Sequence, residues 1–165
     1  MTLATSINLR VTATLESVLD LAIARVTTDK SYNTKLTTGT GASQANGIFS
    51  DTRTLAASAT EDLDLAAALV DGLGATITFT KVKAIIVKAS AANTNNVIIG
   101  AGTNPFLLFS DPTDSIPVCP GGVFVITAPD AAGLAVTAAT GDIIKVTNSA
   151  GTTGVTYDII IIGVS

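Results

Sequence analysis

"VTYDIIIIGVS", residues 155–165, closes the sequence and decides how the rest is read. A strand with one wet face alternates apolar and polar residues. Ile159, Ile160, Ile161 and Ile162 do not alternate, so both faces of this strand need apolar cover. Left as an exposed edge, such a strand is a template for aggregation. The expectation is a strand that is central in its sheet or buried in an oligomer interface. One face packs on an opposing sheet. The other lies under an N-terminal helix or a neighbouring subunit.

Working back from that strand, the chain alternates short apolar runs with turn signals. The runs are "AIIVKA" (84–89), "VIIG" (97–100), "VFVITA" (123–128), "LAVTA" (134–138) and "IIKVT" (143–147). The turns between them are "AANTNN" (91–96), "PGG" (120–122), "PDAAG" (129–133), "ATGD" (139–142) and "NSAGTTG" (148–154). Turn signals every ~8–12 residues are the spacing of a sandwich or barrel. "TEDLDLAAAL" (60–69) also alternates and reads as a strand, followed by the turn "DGLG" (71–74). "SYNTKLTTGTGASQANGIFSDTRTL" (31–55) reads as a strand pair with a loose connection. Ile77 and Phe79 alternate with threonines, then the apolar parity shifts to Val82, Ala84 and Ile86. That shift predicts a bulge or bend near Thr80 and Lys81. The fold class is mainly β, an antiparallel sandwich or jelly-roll-like arrangement.

The N-terminal stretch is less decided. Ile7, Leu9, Val11, Ala13 and Leu15 share one parity, and Asn8, Arg10, Thr12, Thr14 and Glu16 the other. This is strand periodicity. From Leu15 on, the residues Leu15, Val18, Leu19, Ala22, Ile23 and Val26 also form one helical stripe. The reading is an N-terminal arm or strand over 1–14, then a domain over 15–165 that opens with a short helix. A second, bent strand over 15–26 is the alternative.

Composition agrees with a pleated sheet. The 165 residues include 26 Thr, 25 Ala and 14 Gly, with two Glu and no Trp or His. Charged residues are 13 %, about half the usual ~25 %. A chain of this length buries enough surface to hold a core without staples. The net charge of −4 argues against nucleic acid as a direct partner, because phosphate recognition needs clustered Lys and Arg. Lys81, Lys83 and Lys88 come nearest to a cluster, and their spacing reads as the wet edge or face of a strand. The apolar runs are far shorter than the ~20 residues of a membrane helix. No basic-then-apolar leader is visible at Met1, so the expectation is a soluble chain assembled in a cytoplasm. Cys119 has no partner within the chain and is expected to be buried and inert.

Catalytic patterns are sparse. Without His, the commonest general base and metal ligand is missing. One Cys does not make a zinc site. "TGTGASQANG" (38–47) is Gly-rich but lacks the Lys-Ser/Thr ending of a phosphate loop. Glu61, Asp62 and Asp64 lie close in sequence, as an acid pair for hydrolysis or calcium would. Their alternation with Leu63 and Leu65 reads instead as a solvated strand face. No enzyme, cofactor or metal is expected.

"NPFLLFSDP" (104–112) is the run that folding explains least. Phe106, Leu107, Leu108 and Phe109 stand between two prolines. Loops carry four large apolar residues only where something covers them. Either the tip folds back over its own core, or it meets a partner.

A likeness to a known group lies in the Thr/Ala/Gly-rich β segments and in the phrases "TLAASATEDLDLA", "ITFTKVKAIIVKASAANTNNVIIG", "PGGVFVITAPDAAGLAVTAATGDIIKVTN" and "VTYDIIIIGVS". Through them the whole chain resembles the small β-rich structural proteins of tailed double-stranded-DNA bacteriophage virions, most closely capsid decoration (cement) proteins. The resemblance implies a homotrimer on the capsid surface, assembled in the host cytoplasm, that binds between major capsid subunits. A tail, baseplate or fibre component that binds the host surface is the alternative. The candidate interface is Leu3, Ile7 and Leu9 on the N-terminal arm, Phe106, Leu107, Leu108 and Phe109 in the loop, and Ile160 and Ile162 on the last strand.

Overall fold

The computed structural model of this chain describes residues 2–67, 69–109 and 111–165, and among the described residues fourteen strands make up the regular structure. The mainly antiparallel β class is what the alternating runs and turn signals predict. Among the described residues there is no helix.

The isoleucine strand explains the centre. It lies in β14 (Val155–Val164), between β8 (Lys81–Ala89) and β4 (Gly47–Leu55). β11 (Val123–Thr127) and β12 (Leu134–Ala135) complete this first sheet on the far edge of β8. A second sheet has the order β10 (Ser115–Val118), β9 (Val97–Gly100), β13 (Ile143–Asn148) and β5 (Thr60–Asp64). All pairs in both sheets are antiparallel. β6 (Leu69–Val70) and β7 (Thr76–Ile77) form a small hairpin across the Asp71 turn.

The inner faces of the two sheets share one core. Ile85, Val87, Tyr157, Ile159 and Ile161 from the first sheet meet Leu63, Val97, Ile99, Ile144 and Val146 from the second. Ile160 and Ile162 point the other way. There they meet Leu36, Ala45 and Ala84, with Leu3, Ile7 and Ile86 alongside. The four isoleucines thus fill two clusters, as the both-faces argument requires. The cover on the outer side is a strand pair rather than a helix.

That cover is the base of a long hairpin. β1 (Ala4–Val18) pairs with β2 (Ile23–Thr38) from Ala4 opposite Thr37 to Val18 opposite Ile23. β3 (Gln44–Ala45) adds a short parallel pair to the end of β2. The expected helix over 15–26 is therefore corrected. Leu15 stands opposite Val26, and the chain turns at Leu19–Ala22, where the Leu19 N–H donates to the Ala22 carbonyl at 2.8 Å. Val18, Ile23, Val26, Thr27 and Thr28 are β-branched, which favours the strand conformation that wins here. The helical stripe was a coincidence of spacing.

The parity shift near Lys81 also has a structural counterpart. The register between β14 and β8 slips where Ile162 faces Ala84 and Gly163 faces Val82, which leaves Lys83 as the extra residue. The bulge turns Lys83 into the interior, fully buried, with its ammonium donating to the Asp130 carbonyl. The expected wet strand edge is corrected at this lysine. It does describe Lys88, which is exposed. Cys119 is exposed rather than buried, because it sits just past the end of β10 at the Pro120–Gly121 turn.

Candidate interaction surface

Pairing makes the hairpin amphipathic. Residues directly opposite in an antiparallel pair share a face. Ile7, Leu9, Val11, Ala13 and Leu15 therefore share one with Leu36, Tyr32, Val26 and Ala24. The reverse face carries Asn8, Arg10, Thr12 and Glu16 opposite Asn33, Ser31, Asp29 and Arg25. Two cross-strand ion pairs lie there, Arg10 to Asp29 at 2.6 Å and Arg25 to Glu16 at 2.6 Å. The Arg10 guanidinium holds the Asp29 carboxyl below the usual carboxylate range. Charges on both strands of a wet face fix the register.

The apolar face is covered only at its base. Leu36 is 1 % exposed and packs with Ile162 and Ala84, and Ile7 is partly buried beside it. From Asn8 to Asn33 every residue is exposed. Leu9, Val11, Tyr32 and Val26 all stand in solvent, and Leu15 is 74 % exposed. The tip is largely apolar: Val18, Leu19 and Ile23 are exposed and Leu21 is fully so, with Asp20 its one charged residue. At ~3.3 Å per residue, Asn8–Val18 extends about 35 Å beyond the base. A two-stranded hairpin alone is marginally stable in water. An apolar ribbon of this kind marks a contact surface.

A second apolar surface adjoins the base. On the outer face of the first sheet, Val125 stands opposite Ile86, and Ile86 opposite Ile160. Ile48 stands opposite Ile162. Val123 and Ile48 are exposed, Val125 is 39 % exposed, and Ile86 and Ile160 are half-buried. The hairpin base covers part of this face and leaves the rest open.

Of the residues singled out from sequence, Leu3, Ile7, Ile160 and Ile162 come together at the hairpin base. Leu9 lies one step up the open arm. The loop residues are elsewhere. Phe106 is buried in the inner core and Leu108 packs against it. The Phe109 ring meets Phe124 with centroids 6.1 Å apart. The loop mainly folds back over its own core, helped by the Phe106 N–H donating to the Ile143 carbonyl at 2.8 Å. Leu107 alone of the four is exposed, in an open groove with Pro105, Pro112 and Leu134.

The acids do not converge. The Tyr157 hydroxyl donates to Glu61 Oε1 at 2.6 Å, and Arg53 Nε donates to Glu61 Oε2 at 2.6 Å. Asp62 stands exposed opposite Lys145. Asp64 accepts from the Ala66 N–H at 2.8 Å. Burial first, and the Glu61 carboxylate second, push the Tyr157 phenol far above its ordinary value. Among the described residues, no group of three or more His, Cys, Asp and Glu gathers to hold a metal ion.

Sequence reasoning missed Val11, Leu15, Val26, Tyr32, Val123 and Val125. The alternation over 7–15 was the available signal for the first pair. β2 gives a weaker one, since Thr28, Lys30 and Thr34 interrupt its apolar parity. Comparison with protein-family models, with curated proteins and with solved structures finds no match for this chain.

Proposed function

We propose that the chain is an assembly subunit of a bacteriophage particle, a capsid decoration protein whose two-sheet sandwich body sits on the shell as a homotrimer. The observation that carries this reading is the arm: a hairpin about 35 Å long beyond its base, with an apolar face and an apolar tip both open to solvent. The tip residues Val18, Leu19, Leu21 and Ile23 are the part that seats on the major capsid protein. Apolar burial repeated over many lattice positions makes individually weak contacts sufficient. The role is passive reinforcement, with no reaction and no cofactor.

The test is the copy number and position of the protein in purified virions of a phage encoding it, by quantitative gel and cryo-EM. Hundreds of copies on the head lattice are expected. A few dozen copies on the tail, or none in the particle, would reject the decoration role.

A further inference from the structure

The geometry points to arm exchange: the apolar face of one copy's hairpin lies on the open outer face of the first sheet of a second copy. This rests on the assembly role proposed above and names the occupant of the arm.

Three observations favour a second copy. The first is continuity. Within one chain, Ile7 and Leu36 already bind the outer face of this sheet against Ala84 and Ile162. The arm residues beyond them repeat that chemistry on the same ribbon face. The exposed sheet residues Val123 and Val125, with the half-buried Ile86 beside them, repeat it on the receiving side. Each chain thus carries an unpaired ligand and an unpaired site of the same kind.

The second observation is area. A ribbon about 35 Å long and about 10 Å wide offers ~350 Å² on one face. A single one-way contact of that size falls in the range of crystal packing, under ~800 Å² in total. Exchange in a closed set makes each chain both donor and acceptor, which raises its share to about 700 Å², near the ~800 Å² per partner of a stable complex. Closed symmetry is also how most homo-oligomers are built.

The third is charge. Lys30 is the single charged residue on the apolar face of the arm, opposite Val11. On the outer face of the first sheet, Asp158 is the single acid, opposite Lys88 and next to the open apolar strip. A cation delivered among isoleucines and valines meets a carboxylate there, instead of being left unpaired.

The wild-type chain is expected to be oligomeric at micromolar concentration by light scattering. Leu15→Asp on the arm and Val125→Asp on the sheet should each weaken association by about 100-fold. Both positions are exposed in the single chain, so far-UV circular dichroism should be unchanged. In a Cys119→Ser background, an equimolar mixture of the Leu15→Cys and Val125→Cys chains should cross-link through a flexible bismaleimide, and neither chain should do so alone. A monomeric wild type, full assembly of Val125→Asp, or cross-linking of Leu15→Cys with itself would overturn the exchange. These outcomes separate from the virion test: a monomer found on phage heads rejects exchange and keeps the particle role, and an exchanged oligomer absent from virions does the reverse.

Discussion

Tyr157 shows how a single residue joins the two sheets. It sits in the central strand of the first sheet, fully buried, and its hydroxyl reaches Glu61 on the edge strand of the second. Tyr157→Phe leaves a carboxylate short of one donor and should cost about 1–3 kcal/mol in urea unfolding. The pH dependence has a definite sign. The phenol ionises less readily when folded than when unfolded, so its contribution is complete below the unfolded value near pH ~10 and is lost as pH rises beyond it. The stability gap between wild type and Tyr157→Phe should therefore narrow above that pH. Gly163 is a second such position. A Cβ there would meet the Lys81 carbonyl oxygen at 2.2 Å and Phe79 Cδ1 at 2.9 Å. Phe79 is buried in the core and the Lys81 backbone is held by its pairing with Val164, so Gly163→Ala should destabilise by about 1–3 kcal/mol, read as a lower urea midpoint. Neither role is legible in the sequence. The apolar parity around Val82 signals a bulge, but not which residue is extruded or what covers it.

The hairpin separates two kinds of apolar residue that look alike in the sequence. Leu36 and Leu9 lie on the same ribbon face, yet Leu36 is buried against the sheet and Leu9 is open. Leu36→Ala should cost about 2–4 kcal/mol and release hydrogen-exchange protection in the hairpin base. Leu9→Ala should change the stability of the isolated chain by less than about 0.5 kcal/mol. Reversed magnitudes would mean that the arm is packed elsewhere on the body. The strand over 7–14 was readable because its alternation is unbroken. The turn was not, because Leu19, Asp20, Leu21 and Ala22 contain none of the Gly, Asn or Pro that usually announce a hairpin. With the turn hidden, a helix explained the same apolar spacing, and the mate of the first strand went unseen. Cover for Ile160 and Ile162 was inferred correctly, since four isoleucines need two dry faces whatever supplies them. What supplies it depends on long-range pairing that no local pattern carries.

At the scale of the whole molecule, the body satisfies itself and the arm does not. Two sheets close one core, and among the described residues no buried side-chain nitrogen or oxygen lacks a hydrogen-bond partner. The surface that remains open is concentrated on the hairpin and the outer sheet face beside it. Association through it should be dominated by apolar burial. Dilution calorimetry should show a negative heat-capacity change on assembly. Raising salt should weaken the dissociation constant by only a few fold, because one ion pair contributes a small part of the contact. A steep loss of affinity with salt would place the interface on the charged reverse face of the arm instead.

The open arm also makes the chain a clock for its own assembly. Arg10, Arg25 and Lys30 all lie on the exposed hairpin, in extended backbone of the form that trypsin accepts. Before partners arrive, brief protease treatment should nick the chain within its two long strands before it cuts the body, where Lys83 is sealed in the interior and the exposed Lys88 is held in an inner strand of the first sheet. Once the apolar face is occupied, Lys30 falls under a neighbour, while Arg10 and Arg25 stay on the open reverse face. The fraction left uncut after Lys30, followed over time, then counts the copies that have found their place.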